Sequence, residues 1–170
     1  MEKPVHNAWY IAAWSEEILD IPLARIILNN RLVIYRDCDG VARALEDRCC
    51  HRGAPLSKGE VVKEGIQCGY HGMVYSGDGI CVKNPSEDGD PSKYSVKSFP
   101  IVEKQKAIWI WTGDQELADP EKIVNFPYHE DNDVWQFNFG HYQIAGNFML
   151  MIDNLMDLTH LGYIHKSTIG

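Results

Sequence analysis

CCHRGAPLSKGEVVKEGIQCGYHG, from Cys49 to Gly72, is the stretch whose reading decides the fold. Stripped to its metal-binding residues it is Cys49-x-His51, sixteen intervening residues, then Cys68-x-x-His71. Each half offers one thiolate and one imidazole, so two facing loops would bring four ligands together. Tetrahedral zinc accepts two cysteines and two histidines, but zinc fingers usually set both cysteines on one knuckle and both histidines on a helix. Here each loop carries one of each.

That mixed order suits a Rieske [2Fe–2S] cluster, in which one iron takes both thiolates and the other both imidazoles. Gly53, Gly69 and Gly72 permit tight turns in which backbone N–H groups approach cluster sulfides. Pro55 stiffens the first loop, and Gly77, Gly79 and Pro85 shape the chain after the second. Of the remaining cysteines, Cys50 lies one position out of register and reads as a bystander, while Cys38 and Cys81 read as packed thiols.

Outward from these loops, residues 1–113 read as a small β domain. Trp9 to Trp14, Ala24 to Leu28, Arg31 to Arg36 and Val41 to Leu45 are rich in β-branched or aromatic residues, with hairpin connections expected at Asn29-Asn30 and Asp37–Gly40. Ala107 to Thr112 adds a strand in which Trp109 and Trp111 pack. Residues 114–134, acidic and holding Pro120, Pro127 and Glu130 to Asp133, read as a solvated linker or connecting loop. Residues 135–170 open a second unit, with alternation from Trp135 to Ile144 and then a helix from an Asn147 N-cap to about Leu161. Its methionines, Met149, Met151 and Met156, are expected as core filler. A helix that begins a domain without that domain's other elements predicts an incomplete second domain.

The formal net charge of -8 argues against a nucleic-acid backbone as partner, and no basic run or long apolar stretch suggests a membrane. The N-terminal residues lack the pattern of a signal peptide, and five cysteines is an odd count, so a reducing, cytoplasmic setting is expected.

Near its end the second unit carries NLMDLTHLGYIH, Asn154 to His165. His160 and His165, with one distant carboxylate, would form the face that binds non-haem Fe(II) and leaves positions open for dioxygen. On a regular helix they would stand about 140° apart. Both reach one metal only if the helix ends or bends between them, and Gly162 is placed to permit that. His6, His129 and His141 match no ligand position.

CCHRGAPL and QCGYHGMVYSGDGICVKNP resemble the two Rieske loops of bacterial ring-hydroxylating and O-demethylating oxygenases. The respiratory-complex type carries an extra cysteine in each loop, where this chain has Ala54 and Tyr70. Met73 stands where many ring dioxygenases have tryptophan. The Asn-x-x-Asp-x-x-His-x4-His pattern of Asn154, Asp157, His160 and His165 resembles the mononuclear-iron signature of Rieske non-haem iron oxygenases. Asp-Asn-Leu-Met-Asp-Leu-x-His and the early NAWYIAA are similar to the vanillate and dicamba O-demethylase subgroup.

The resemblance implies an all-β Rieske domain followed by the start of an α+β helix-grip catalytic domain. It implies that Cys49, His51, Cys68 and His71 hold the cluster and that His160 and His165 hold the catalytic iron. Asp157 would bridge a Rieske histidine of a neighbouring subunit to an iron-ligand histidine, and Asn154 would line the active site. It further implies a monooxygenase acting on a small aromatic substrate with O2, NAD(P)H electrons arriving through a separate reductase with or without a ferredoxin, and a homotrimer. A Rieske ferredoxin, purely an electron carrier, would explain residues 1–113 equally well but not the second motif; a structural zinc module is the third reading.

Overall fold

A computed structural model describes residues 4–129 and 133–168, which form two compact units divided between Phe137 and Asn138. Glu130, Asp131 and Asn132 of the expected acidic run lie outside the described residues. Among those described, the first unit holds ten strands: β1 (Trp9–Trp14), β2 (Leu23–Ile27), β3 (Asn30–Arg36), β4 (Ala42–Glu46), β5 (Glu60–Val62), β6 (Gly65–Gln67), β7 (Val74–Tyr75), β8 (Cys81–Lys83), β9 (Ile101–Lys104) and β10 (Ala107–Trp111). They pair antiparallel in three sheets, in the orders β1-β10-β9, β2-β3-β4 and β5-β6-β7-β8.

β3 joins two cores. Its run Leu32-Val33-Ile34-Tyr35 is fully buried, as a strand covered on both faces requires. Successive residues of a strand point to opposite faces. Leu32 and Ile34 therefore meet Ile18, Ile108 and Ile110 on one side. Val33 and Tyr35 meet Leu56, Ile66, Tyr75 and the cysteines Cys49, Cys68 and Cys81 on the other. Each large apolar side chain buried this way contributes roughly 1.5–3 kcal/mol. The chain from Tyr94 to Phe99 stitches the metal-loop sheet to the base: Cys81 N–H donates to the Tyr94 carbonyl at 2.9 Å, Val96 N–H to Gly79 at 2.8 Å, and Glu46 N–H to Lys97 at 2.7 Å.

The hairpin between β2 and β3 turns one residue earlier than expected. Leu28 and Asn29 take positive φ (46° and 64°), as a two-residue hairpin turn requires at both central positions. Asn30 is instead the first residue of β3, and its side-chain amide donates to the carbonyls of Ile27 and Leu28, each at 3.2 Å.

Arg36, at the end of β3, makes two 2.8 Å contacts to the Glu103 carboxylate of β9 and also donates to the carbonyls of Ser15, Ile18 and Gly40. The hydrogen bonds from Arg36 hold the Glu103 carboxyl below its ordinary value. A carboxyl depressed in the folded state stabilises fully above its unfolded value, about 4.3, and that contribution is lost as pH falls toward the folded value. Glu103→Gln is therefore expected to lower the urea midpoint near neutral pH and to lose that deficit below about pH 4. The side chain is partly exposed, so the effect is modest.

Residues 114–129 are largely exposed, as a connecting loop is expected to be, but they are pinned to the β domain at a few points. Short 3₁₀ turns at Gln115–Leu117 and Pro120–Lys122 are capped by the carboxylates of Asp114 and Asp119. Trp9 Nε1 donates to the Asp119 carbonyl at 2.8 Å, Ile123 is buried with Ala107 and Trp109, and Phe126 stacks on Trp109. The segment covers the outer face of β10, which is why all five residues of that strand are buried. Two apolar residues between the acidic ones were enough to hold it down. Cys38 also departs from expectation: it is exposed, with its thiol against the Lys63 carbonyl at 3.2 Å, whereas Cys81 is buried.

Residues 135–144 form no strand despite their alternation. Alternation by itself does not make a strand, which is defined by its ladder of hydrogen bonds. The second unit carries helix α1 (Phe148–Met156), a 3₁₀ turn at Leu158–His160, and the one-turn helix α2 (Leu161–Ile164). Asn147 caps α1 as expected, its side-chain oxygen accepting from Met149 N–H at 2.9 Å. No residue of α1 is buried within this chain, so the methionines are not core filler here: Met156 is exposed and Met149 and Met151 half-buried. A helix face is buried only against a second layer. Among the described residues no helix is long and apolar enough to cross a membrane.

Candidate metal centres

The two loops of the first unit are built on one plan. In the loop between β4 and β5, Cys49 N–H donates to the Ala54 carbonyl at 2.8 Å and Gly53 N–H returns to the Cys49 carbonyl at 2.9 Å. In the loop between β6 and β7, Cys68 N–H donates to Met73 at 2.8 Å and Gly72 N–H returns to Cys68 at 3.0 Å. The glycine four residues after each cysteine takes nearly the same left-handed φ, 71° at Gly53 and 72° at Gly72. A side chain there is strained, so both knuckles depend on glycine.

The plan is shared, but the histidines are not at equivalent places. Matching cysteine to cysteine sets His51 opposite Tyr70 and Arg52 opposite His71. The rings of His51 and His71 still approach to 4.6 Å between centroids, and Tyr70 packs on His71 at 3.9 Å. Both cysteines are buried, at 3% and 1% exposure, while His51 is exposed and His71 half-buried. Burial pushes the Cys68 thiol up, backbone N–H groups of Tyr70 and His71 pull it down, and the adjacent Cys49 thiol pushes it up again. Among the described residues, no three His, Cys, Asp or Glu side chains gather where one ion could sit. Thiol is set beside thiol and imidazole beside imidazole. That two-plus-two division, with backbone donors aimed at sulfur, fits a [2Fe–2S] cluster with its thiolate-held iron buried and its imidazole-held iron toward solvent.

Tyr75 is the residue that spacing alone did not reveal. It is fully buried on β7, and its hydroxyl lies 3.1 Å from Cys49 Sγ, 3.2 Å from Cys50 Sγ and 3.7 Å from Met73 Sδ. Burial, then the hydrogen bonds to Cys49 and Cys50, push the phenol well above its ordinary value, so it keeps its proton. The signal that could have found it is alternation: Met73 and Tyr75 share a face of the strand leaving the second loop. Cys50, read as a bystander, is drawn into the same contact. An open, polar cleft of about 620 Å³ adjoins the first loop, with Arg48, Cys50, His51, Arg52 and Lys97 in its walls.

In the second unit, the helix breaks at Asp157, not at Gly162. Asp157 leaves helical geometry (φ -93°, ψ 93°), and its Oδ1 accepts from Thr159 N–H at 3.0 Å and Thr159 Oγ1 at 2.6 Å, starting the 3₁₀ turn. Asp157 is therefore not on the same helical face as His160. Gly162 sits inside α2 without a left-handed φ. His160 and His165 flank the single turn of α2, and their rings approach to 5.4 Å between centroids. His160 Nδ1 lies 2.5 Å from the Asp157 carbonyl oxygen. A carbonyl only accepts, so Nδ1 carries the proton and Nε2 keeps the lone pair a metal needs. The Thr159 hydrogen bonds hold the Asp157 carboxyl below its ordinary value. Asn154 lies on α1, exposed. Two imidazoles so placed can share one ion; among the described residues no carboxylate completes a group of three with them.

Comparison with known proteins decides what the first unit is. The model of the Rieske [2Fe-2S] domain matches residues 8–100, more than half of the chain. The chain belongs to the Rieske [2Fe–2S] domain family. Beyond the Rieske domain, residues 144–170 match the vanillate O-demethylase oxygenase C-terminal domain.

The Rieske protein's relatives include the oxygenase component of dicamba O-demethylase from Stenotrophomonas maltophilia, 46% identical over 96% of this chain and 48% of the relative. A vanillate O-demethylase oxygenase subunit of a Pseudomonas strain is 46% identical over 96% of this chain and 46% of its own length. A putative toluene-4-sulfonate monooxygenase system iron-sulfur subunit of Comamonas testosteroni is 43% identical over 98% and 48%. The crystal structure of dicamba monooxygenase bound to dicamba superposes with a TM-score of 0.91 at 45% identity, covering 97% of this chain and 49% of that one. The chain thus spans about half the length of the curated relatives it matches, and the vanillate and dicamba O-demethylases among them are the subgroup that the sequence resembles.

Proposed function

We propose that this Rieske protein acts in the terminal oxygenase component of a Rieske non-haem iron monooxygenase that hydroxylates or O-demethylates a small aromatic acid. The observation that carries the reading is the second imidazole pair. A Rieske ferredoxin needs only the loops of the first unit, whereas His160 and His165 stand 5.4 Å apart in a turn ordered by Asp157. In this reading residues 1–113 carry the cluster, 114–134 connect, and 135–170 begin the catalytic domain.

Cys49, His51, Cys68 and His71 would hold the [2Fe–2S] cluster, and His160 and His165 the mononuclear Fe(II). When bound, the cluster relays single electrons and the Fe(II) activates O2 beside the substrate. The chain's own residues set the geometry. The Asp157 carbonyl fixes the His160 tautomer, so that Nε2 would be the nitrogen available to hold the metal. The Asp157 carboxylate is assigned the bridge toward a Rieske histidine of a neighbouring subunit, which requires a head-to-tail ring such as a homotrimer. Asn154 is assigned to the wall of the active site. Hydroxylation of an aryl methyl ether gives a hemiacetal, which loses formaldehyde.

Electrons would come from a separate NAD(P)H-dependent reductase, directly or through a ferredoxin. Crystals of a carbazole 1,9a-dioxygenase oxygenase in complex with its ferredoxin, 34% identical to this chain, show that pairing in a relative. No disulfide joins the described cysteines, which suits a reducing cytoplasm.

The test supplies NAD(P)H, a reductase and a methoxy-substituted aromatic acid, and measures O2 uptake and formaldehyde together. Formaldehyde coupled to O2 uptake is expected. Reduction of a downstream electron acceptor with no O2 uptake on any aromatic acid would select the ferredoxin. A colourless protein that holds zinc and no iron, with no EPR signal after reduction, would select zinc.

A further inference from the structure

We infer that Cys50 tunes the reduction potential of the cluster through Tyr75, and so is a positioning residue rather than a spare thiol. The inference rests on the reading that Cys49 is a cluster ligand. Tyr75 has one proton and three sulfur neighbours: Cys49 Sγ at 3.1 Å, Cys50 Sγ at 3.2 Å and Met73 Sδ at 3.7 Å. As a ligand, Cys49 is an anionic thiolate and the strongest acceptor of the three. The phenol therefore donates to Cys49 Sγ, because the neutral Met73 thioether is a weak acceptor and the farthest away. That leaves the phenol oxygen as an acceptor, and Cys50 S–H is the donor within reach. The result is a directed relay from Cys50 S–H to the Tyr75 hydroxyl and on to the Cys49 thiolate.

The relay has an electronic consequence. Reduction adds one electron to the cluster, and donors to the ligand sulfur stabilise the more negative state, so they raise the potential. A phenol whose oxygen accepts a hydrogen bond is a stronger donor than one whose oxygen does not. Cys50 thereby strengthens the Tyr75 bond to Cys49 without itself being one of the assigned ligands. The burial of Tyr75 keeps the contact free of competing water, while Cys50 lies at the exposed end of the relay.

The test is an EPR-monitored redox titration of the cluster-loaded chain with four variants: Cys50→Ala, Cys50→Ser, Tyr75→Phe and the double variant Cys50→Ala with Tyr75→Phe. Cys50→Ala is expected to shift the one-electron reduction equilibrium about threefold toward the oxidised form, on a scale where tenfold is about 59 mV. Cys50→Ser, whose hydroxyl can still donate to the phenol, is expected to restore the parent value. In the Tyr75→Phe background, Cys50→Ala should produce no further shift.

An unmoved potential in Cys50→Ala overturns the relay, as does a shift that persists undiminished without the Tyr75 hydroxyl, since that would be an effect of solvent entry or packing. These failures are distinct from failure of the cluster reading. If the unsubstituted chain lacks a Rieske EPR signal altogether, both the relay and the ligand assignment fall.

Discussion

Cys68→Ser abolishes the visible absorbance and the reduced EPR signal of the cluster, and iron and sulfide content fall with them. The expected loss is near total, because a serine hydroxyl would not supply the thiolate that the proposed cluster would take from this loop. Cys68 is 1% exposed and its sulfur lies beside Cys49, so no outside group can substitute. The loop itself should persist in the variant. Its hydrogen bonds, from Cys68 N–H to Met73 and from Gly72 N–H to Cys68, are made by backbone atoms that serine retains. Far-UV circular dichroism is the control for that, and Cys38→Ser, at an exposed thiol away from the loops, is the control for cysteine loss in general. A Rieske spectrum that survives in Cys68→Ser would sink the ligand assignment.

The second large effect is expected at Asp157. Asp157→Asn should keep both metals and lower substrate-coupled O2 uptake by about 100-fold, the upper range for loss of a group that supports a metal ligand. The substitution is selective for a structural reason. Asparagine retains the Oδ1 acceptor that starts the Leu158–His160 turn, and the hydrogen bond from His160 Nδ1 goes to the backbone carbonyl. What disappears is the carboxylate charge, and with it the proposed bridge between subunits. Single-turnover kinetics separate the cases: cluster reduction should proceed normally while cluster reoxidation slows. Full coupled activity in Asp157→Asn, or loss of iron from the histidine site, would each remove the bridging role.

Much of the site was legible in the chain because metal chemistry uses rare residues at tight spacing. Cys49, His51, Cys68 and His71 can be picked out without a fold, and the β class follows from β-branched runs broken by turn residues. Other features were not legible, each for its own reason. Alternation from Trp135 to Ile144 suggested a strand, but alternation carries no information about a partner. The acidic character of residues 114–129 suggested solvent, although Ile123 and Phe126 hold the segment against β10. The helix was expected to yield at Gly162, the most permissive residue, yet it ends at Asp157, where a side chain offers the backbone an alternative hydrogen bond.

By itself, the sequence determined the candidate ligand residues, the two-loop layout, the family resemblance and the second pair of histidines, because those depend on residue identity and on short separations along the chain. Only the tertiary structure decided that the two loops share one backbone plan, that Tyr70 packs on His71, and that Tyr75 reaches from β7 to Cys49 and Cys50. Tyr75 lies on β7 and Cys49 in the loop after β4, and what brings them together is the core they share with Val33 and Tyr35 of β3. Contacts of that kind are set by packing between layers, which no local pattern records.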